Sequence, residues 1–433
     1  MEAAPADACI LVSSSQWRTP AGVEPEKPKI STRHPGLETA PAICRARPGT
    51  GFDPRDRVNS VLRHSRRARP KAQGKSCGTS ESIETMIQVI ELDETLHERY
   101  ASYLAGRADA RFGHDLAWGN VLRAAYGVET EHLVALEGGE VVGVCPLFLC
   151  KPLFGGAHYV TNPFPTYCGP LCESSEALNA LLKAVAEKTS RVDHAEVLTP
   201  VPLSDADAEY LPFQEGLDYT FVLDLRQGIE AIRKNLRTNF KRILNKSAKL
   251  QGMDIVADLD GNLVDEFYRS YVRIYGHKHG FIPHVKALFE NIFAEFPKGD
   301  ARLYMARVNG KYVGGIFTFW AHNEVYYAWS AVEPDDEYQP AHVAIWRIIQ
   351  DAAAEGYDRF NMGEAPKAHE TLIRFKQGWG TEVLEPSRYF VPGKTRKPSP
   401  RLFDRVSWAK KIIANLPSGV ITAFLSPAIR YFL

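Results

Sequence analysis

The segment Arg374-Phe-Lys-Gln-Gly-Trp-Gly380 sets a lysine just ahead of a Gly-Trp-Gly turn. Glycines let the backbone approach a ligand closely, and a fixed cation can meet negative charge that develops in a reaction. Lys376 is therefore the leading candidate for an electrophilic catalytic group, with Arg374 and Gly363 as companions. A surface lysine following an amphipathic helix is the competing reading. A second constellation is purely basic: Arg233, Lys234, Arg237, Lys241, Arg242, Lys246 and Lys249 lie within 17 residues that contain no acid. Arg233, Arg237 and Lys241 follow one another at i+4, which stacks like charge on one helical face at about 0.2–0.5 kcal/mol per pair. A phosphate-bearing ligand would offset that cost; a solvated helix face is the alternative. Such a ligand could be a nucleotide sugar, a lipid pyrophosphate or a tRNA acceptor arm. His342 and His369 are possible general bases. His277-Lys-His279 has no third ligand at sensible spacing, so no metal site is expected. Ser-His-Asp elbow, Walker loop and HExxH motifs are absent from the sequence.

Positioning these groups falls to a long chain with an uneven charge distribution. The 433 residues carry 52 Lys+Arg and 52 Asp+Glu, and 45% are hydrophobic. A chain of this length builds more than one core, and its apolar content excludes wholesale disorder. Zero net charge excludes a globally basic DNA binder. The zero is a cancellation: residues 1–85 hold 14 basic and 9 acidic side chains, leaving the remainder at −5. Residues 1–85 are rich in Pro, Gly, Ser and Arg without apolar periodicity, so a disordered basic leader is expected there. No apolar stretch follows a charged start, which makes it a poor signal peptide. Met86 sits where foldable patterning begins, so the leader need not belong to the working protein.

After Met86 the patterning repeats. The first half reads as a strand at Gln88–Leu92, helices over Glu94–Leu104 and Leu116–Tyr126, and a hairpin of His132–Glu137 and Glu140–Leu149 around Gly138-Gly139. A helix over Ala177–Lys188 and a strand at Ala195–Leu198 follow. The second half reads as a strand at Tyr219–Leu225, a helical tract over Ile229–Leu250 broken at most once, and a strand at Met253–Val256. Helices over Asn262–Tyr275 and Val285–Phe296 precede a hairpin of Ala301–Val308 and Lys311–Trp320 around Asn309-Gly310. A strand at Glu324–Ala331, a helix over Ala341–Glu355 and a strand at Arg359–Asn361 complete it. The order implies two α+β units with central mixed, mostly antiparallel sheets. The expected division is a leader over 1–85, units over 86–215 and 216–395, and an amphipathic tail over 396–433.

The helix pair, "NGKYVGG" hairpin, strand, helix and strand resemble the GNAT acyltransferase fold, and the duplication resembles its tandem FemAB-type branch. "GPLC" at Gly169–Cys172, "RFNMGEAPKAHETLIRFKQGWG" at Arg359–Gly380 and "LPSGVITAFLSPAIRYFL" at Leu416–Leu433 carry the likeness to the exosortase- and exopolysaccharide-linked members. The resemblance implies two GNAT-like domains and acyl transfer to an amine, with Lys376 matching the lysine at the acyl-transfer site. The acceptor it implies is an amine on a cell-envelope precursor, an amino sugar or an amino acid derivative. The implied donor is acyl-CoA, with aminoacyl-tRNA as the alternative, and a non-catalytic scaffold of the same fold is a further reading. Direct attack by the amine, with Arg233, Arg237 and Lys241 holding phosphate, is the expected arrangement. Tyr326, Tyr327 and Trp329 would line the acyl tunnel, or simply pack the core. The chain departs from GNAT proteins at Glu333-Pro-Asp-Asp-Glu-Tyr-Gln-Pro-Ala-His342, where four acids replace the Gly-rich pyrophosphate loop. A loop at His277–Pro283 would line the acceptor cleft.

The tail combines Leu402, Phe403, Val406, Trp408, Ile412 and Ile413 with Arg401, Arg405, Lys410 and Lys411. It is too short and too Pro-broken to span a bilayer, so it either lies at the interface or packs on the protein. Seven cysteines without CxxC spacing read as buried thiols of a reducing bacterial cytoplasm. Peripheral contact with the inner face of the membrane is a possible placement.

Overall fold

Both Gly-bearing hairpins form where the alternation places them. Leu133–Glu137 pairs antiparallel with Glu140–Cys145, and Ala301–Val308 with Lys311–Ala321. The computed structural model describes residues 86–153, 156–164, 167–204, 210–395 and 407–431. The leader expected over 1–85 lies outside the described residues, as does 396–406 of the tail. The fold is α+β throughout. The second half is built on one seven-stranded sheet in the order Met253–Asp258, Ala301–Val308, Lys311–Ala321, Glu324–Val332, Arg359–Ala365, Tyr219–Asp224 and Glu382–Leu384. Only Glu324–Val332 and Arg359–Ala365 run parallel in it.

The first half departs from a single central sheet. Pro146 cannot donate to a ladder, and the expected strand Glu140–Leu149 divides there into Glu140–Cys145 and Phe148–Cys150. These belong to a four-stranded and a six-stranded sheet respectively. The grammar of the second half still recurs, because His158–Val160 pairs parallel with His194–Thr199 over three residue pairs.

One strand crosses between the halves. Tyr219–Asp224, which opens the second half, lies antiparallel beside Arg359–Ala365 within its own sheet. Ser387–Pro392, which follows the second half, returns to lie antiparallel beside His194–Thr199 of the first. A sequence boundary at 215/216 groups Ser387–Pro392 with the second unit, whereas its ladder is in the first. Its side chains reinforce that placement: Arg388 bonds Glu196 at 3.2 Å and Glu215 at 2.6 Å.

The helical tract Ile229–Leu250 breaks once, into Ile229–Asn235 and Thr238–Ser247. Leu236 and Arg237 take extended backbone at the break (ψ 144° and 136°). This overturns the i+4 stacking of Arg233, Arg237 and Lys241: no single helix carries all three, and Lys241 Nζ instead donates to the Lys234 carbonyl at 2.6 Å. The expected loop at His277–Pro283 forms, but only from His279 onward. Val272–Lys278 continues the preceding helix as a π-helical stretch, and His277 bonds the Ala414 carbonyl and the Ser418 hydroxyl of the tail.

Candidate active site

The parallel strands Glu324–Val332 and Arg359–Ala365 pair only over Glu324–Tyr326 and Arg359–Asn361, and then part. Each strand bulges just beyond the last pair. Opposite Lys311–Ala321, Ala328 is the extra residue between Tyr327 and Trp329. Opposite Tyr219–Asp224, two residues, Met362 and Gly363, face the single Phe221. Bulges bend a strand and raise its twist, so two of them on neighbouring strands open a wedge. Gly363 carries the φ of +69° that this bulge needs, and its N–H donates to Asn361 Oδ1 at 2.9 Å.

Lys376 reaches into this place from the helix Glu370–Gln377. Its ammonium donates to the carbonyls of Met362 at 2.8 Å and Glu364 at 2.5 Å, directly past the last parallel pair. The residue is 1% exposed, so the competing reading of a surface lysine is overturned. The Phe221 ring lies 5.7 Å from Nζ. Burial pushes the neighbouring Glu364 carboxyl above its ordinary range, against the pull of the Lys376 charge. Tyr326 donates its hydroxyl to Glu364 Oε2 at 3.3 Å.

The Gly-Trp-Gly turn explains how the lysine is held. A Cβ on Gly378 would come within 2.6 Å of the Phe240 ring, so only glycine lets the basic helix Thr238–Ser247 close on this turn. Gly378 O accepts the Arg237 N–H at 2.9 Å. Trp379 is fully buried with Phe240, Phe375 and His342 around it. Burial alone drops His342 to about 4, so its imidazole is neutral at pH 7.

The sequence candidates therefore separate. Lys376 and Gly363 meet at the wedge. Arg374, on the same helix, faces solvent and pairs with Glu370 at 2.9 Å, away from Lys376. Tyr327 packs in the core beside Phe360. His369 caps its helix by accepting the Leu372 N–H at 3.2 Å. Arg233 reaches Asn245 at 2.7 Å and lies over Trp346 of the helix Pro340–Ala354. None of the seven basic residues in 233–249 forms an ion pair among the described residues. Ser247 Oγ donates to the Tyr338 carbonyl at 2.9 Å, which ties the basic helix to the start of Pro340–Ala354.

A buried polar chain that sequence reading did not find runs beside the wedge. Arg111, from the first half, forms an ion pair with Glu324, at the first parallel residue pair. Asn361 donates to Glu324 Oε1 at 3.2 Å, Arg359 lies 3.5 Å from Oε2, and the Arg111 guanidinium sits 4.5 Å over the Tyr167 ring. Removing one partner of a buried pair strands the other charge. Arg111→Ala should therefore cost about 3–5 kcal/mol in urea unfolding, with the double variant Arg111→Met/Glu324→Gln recovering most of it. No local signal marks this pair, because its members are 213 residues apart.

A cleft of about 700 Å³ opens between the halves at the opposite end of the same strands. Asp115, Phe296, Asp300, Trp320, His322 and Tyr357 line it, and His322 bonds Asp115 at 2.8 Å.

Residues 234–376 match the family model of the acetyltransferase (GNAT) domain. Among solved structures, FemX superposes with a TM-score of 0.58 at 14% identity, covering 71% of this chain and 98% of FemX. The C-terminal domain of a putative lysylphosphatidylglycerol synthetase from Agrobacterium fabrum superposes with a TM-score of 0.48 at 12% identity, over 69% of this chain and 92% of that one. No curated protein matches by sequence. The matched segment ends on Lys376, and the fold is that of FemX over nearly all of its length. Residues 234–376 thus form an acetyltransferase (GNAT) domain, in a chain that shares the fold of FemX.

Proposed function

We propose that the protein transfers an acyl group from acyl-CoA to an amine of a cell-envelope precursor, an amino sugar or an amino acid derivative. The observation that carries this reading is the Lys376 ammonium, fixed at the mouth of the wedge by two carbonyls. Acyl transfer builds negative charge on the acyl oxygen, and a preorganised cation in a water-poor site stabilises it strongly. Glu364, held by Tyr326 and raised in basicity by burial, is placed to take the proton the amine loses. The donor's thioester supplies the activated acyl group.

The structure bears on whether coenzyme A fits. The acidic loop is partly spent on its own fold: Glu333 pairs with Arg273, and Asp335 accepts the N–H groups of Glu337 and Tyr338 at 2.9 and 2.8 Å. The helix it leads into, Pro340–Ala354, has no side-chain cap at its N-terminus and lies against the basic helices. Phosphates there would meet the helix dipole and the exposed cations Arg233, Arg237 and Lys246. On the splayed strand, the buried Ser330 Oγ has no hydrogen-bond partner, a polar atom that a donor chain in the wedge would satisfy. The same unpaired cations also suit the phosphates of a tRNA acceptor arm, which keeps aminoacyl-tRNA as a second donor.

Thermal melting with acyl-CoA, free coenzyme A and aminoacyl-tRNA tests the reading, followed by turnover with candidate amines. A donor at 100 times its Kd should add about 2.7 kcal/mol of stability. Thiol release on adding an amine supports transfer from acyl-CoA. Donor binding without turnover on any amine would leave a scaffold of the same fold.

A further inference from the structure

The C-terminal helices have two unlike faces. Inward, Ile413, Ile421 and Ile429 join the core that holds Tyr271, Tyr275 and Phe281. His277 clamps the turn between the helices, and the Leu153 N–H donates to the Tyr431 carbonyl at 2.8 Å. The tail thus packs on the protein, but packing does not use up its apolar surface.

Outward, Phe424 is 71% exposed, Leu153 62% and Ile412 51%, with Val420 and Tyr431 also exposed. These are five of the nine exposed large hydrophobic residues among those described: four lie on the tail, and Leu153 lies on the loop bonded to it at Tyr431. Val420, Phe424, Pro427 and Tyr431 follow at spacings of 4, 3 and 4, which sets them along one side of the helical run from Ser418 to Tyr431. Between 407 and 431 the chain carries Lys410, Lys411 and Arg430 and no acid. Lys411 and Arg430 are exposed on this surface.

We infer that this face docks on an anionic lipid bilayer. An apolar stripe with a projecting aromatic ring, flanked by exposed cations, is the composition that inserts shallowly at a charged interface. A second copy of the chain fits less well, because two such faces would bring like charges together. No helix among the described residues is long and apolar enough to cross a membrane, so the contact is peripheral. The inference is independent of which acyl donor is used.

Co-sedimentation of the full chain with phosphatidylcholine vesicles and with mixed phosphatidylcholine–phosphatidylglycerol vesicles tests it. Binding is expected to the mixed vesicles, and to weaken as salt is raised. Phe424→Ser, at a solvent-facing position, should weaken it about tenfold without lowering the melting temperature. Lys411→Glu/Arg430→Glu should remove the preference for phosphatidylglycerol. Absence of binding to either vesicle overturns the inference, as does binding that all variants share equally. A dimer in light scattering that Phe424→Ser disperses, with no vesicle binding, would assign the face to self-association and also overturn it.

Discussion

Lys376→Gln is expected to lower the acyl-transfer rate by about 10²–10³-fold at saturating donor, the usual effect of removing one preorganised stabiliser of an oxyanion. Two roles must be separated, because the ammonium also satisfies the Met362 and Glu364 carbonyls in the bulge. Leaving a buried acceptor unmade costs about 1–3 kcal/mol, so Lys376→Met should lose both activity and stability. Glutamine retains N–H donors for the bulge but carries no charge. If the lysine serves the bulge alone, Lys376→Gln keeps both its melting temperature and its rate. A folded Lys376→Gln protein with an unchanged donor KM and a collapsed kcat is the result expected of an electrophile. Arg374→Ala is the matched control on the same helix: its side chain is solvent-facing and paired only with Glu370, so the rate should stay within about twofold, since exposed ion pairs contribute little.

The second large effect is acid instability. Burial lowers His114 and His342 to about 4 and His132 and His284 to about 3. A histidine free in the unfolded chain titrates near its ordinary value of about 6.5. As pH falls through that value the unfolded chain takes up protons that the folded protein refuses. The stability these groups contribute is therefore complete above about pH 6.5 and is lost progressively as pH falls towards 4 and 3. One pKa unit is about 1.4 kcal/mol, so each of the four can withdraw roughly 3–5 kcal/mol, and together they rival the whole stability of an ordinary domain. Glu364 and Asp300 act in the opposite sense, since burial raises both carboxyls and they favour the fold when protonated, but they are two groups against four. The melting temperature is expected to fall steeply from pH 6.5 and the protein to unfold near pH 5. His342→Phe should make that fall shallower by about one proton, because phenylalanine suits the site among Phe240, Phe375 and Trp379 and does not titrate. An unchanged slope would mean that His342 is protonated in the folded protein.

What the sequence determined by itself is local. Gly138-Gly139 and Asn309-Gly310 between alternating apolar runs set two hairpins, because turn chemistry and period-2 alternation act over a few residues. The apolar spacing of Ile229–Leu250 set a helix, and the Gly-Trp-Gly turn marked Lys376 as a cation beside a close backbone approach. What sequence reading missed was decided at distance. Whether Lys376 meets solvent or carbonyls depends on bulges at Ala328 and Met362–Gly363, which arise only when the strands pair. The Arg111–Glu324 pair and the return of Ser387–Pro392 to the first half join residues far apart in the chain. Side chains on one helix, such as Arg374 and Lys376, look alike in sequence and differ wholly in burial. Tertiary packing chose between them, because desolvating a lysine is tolerable only where fixed dipoles replace its water.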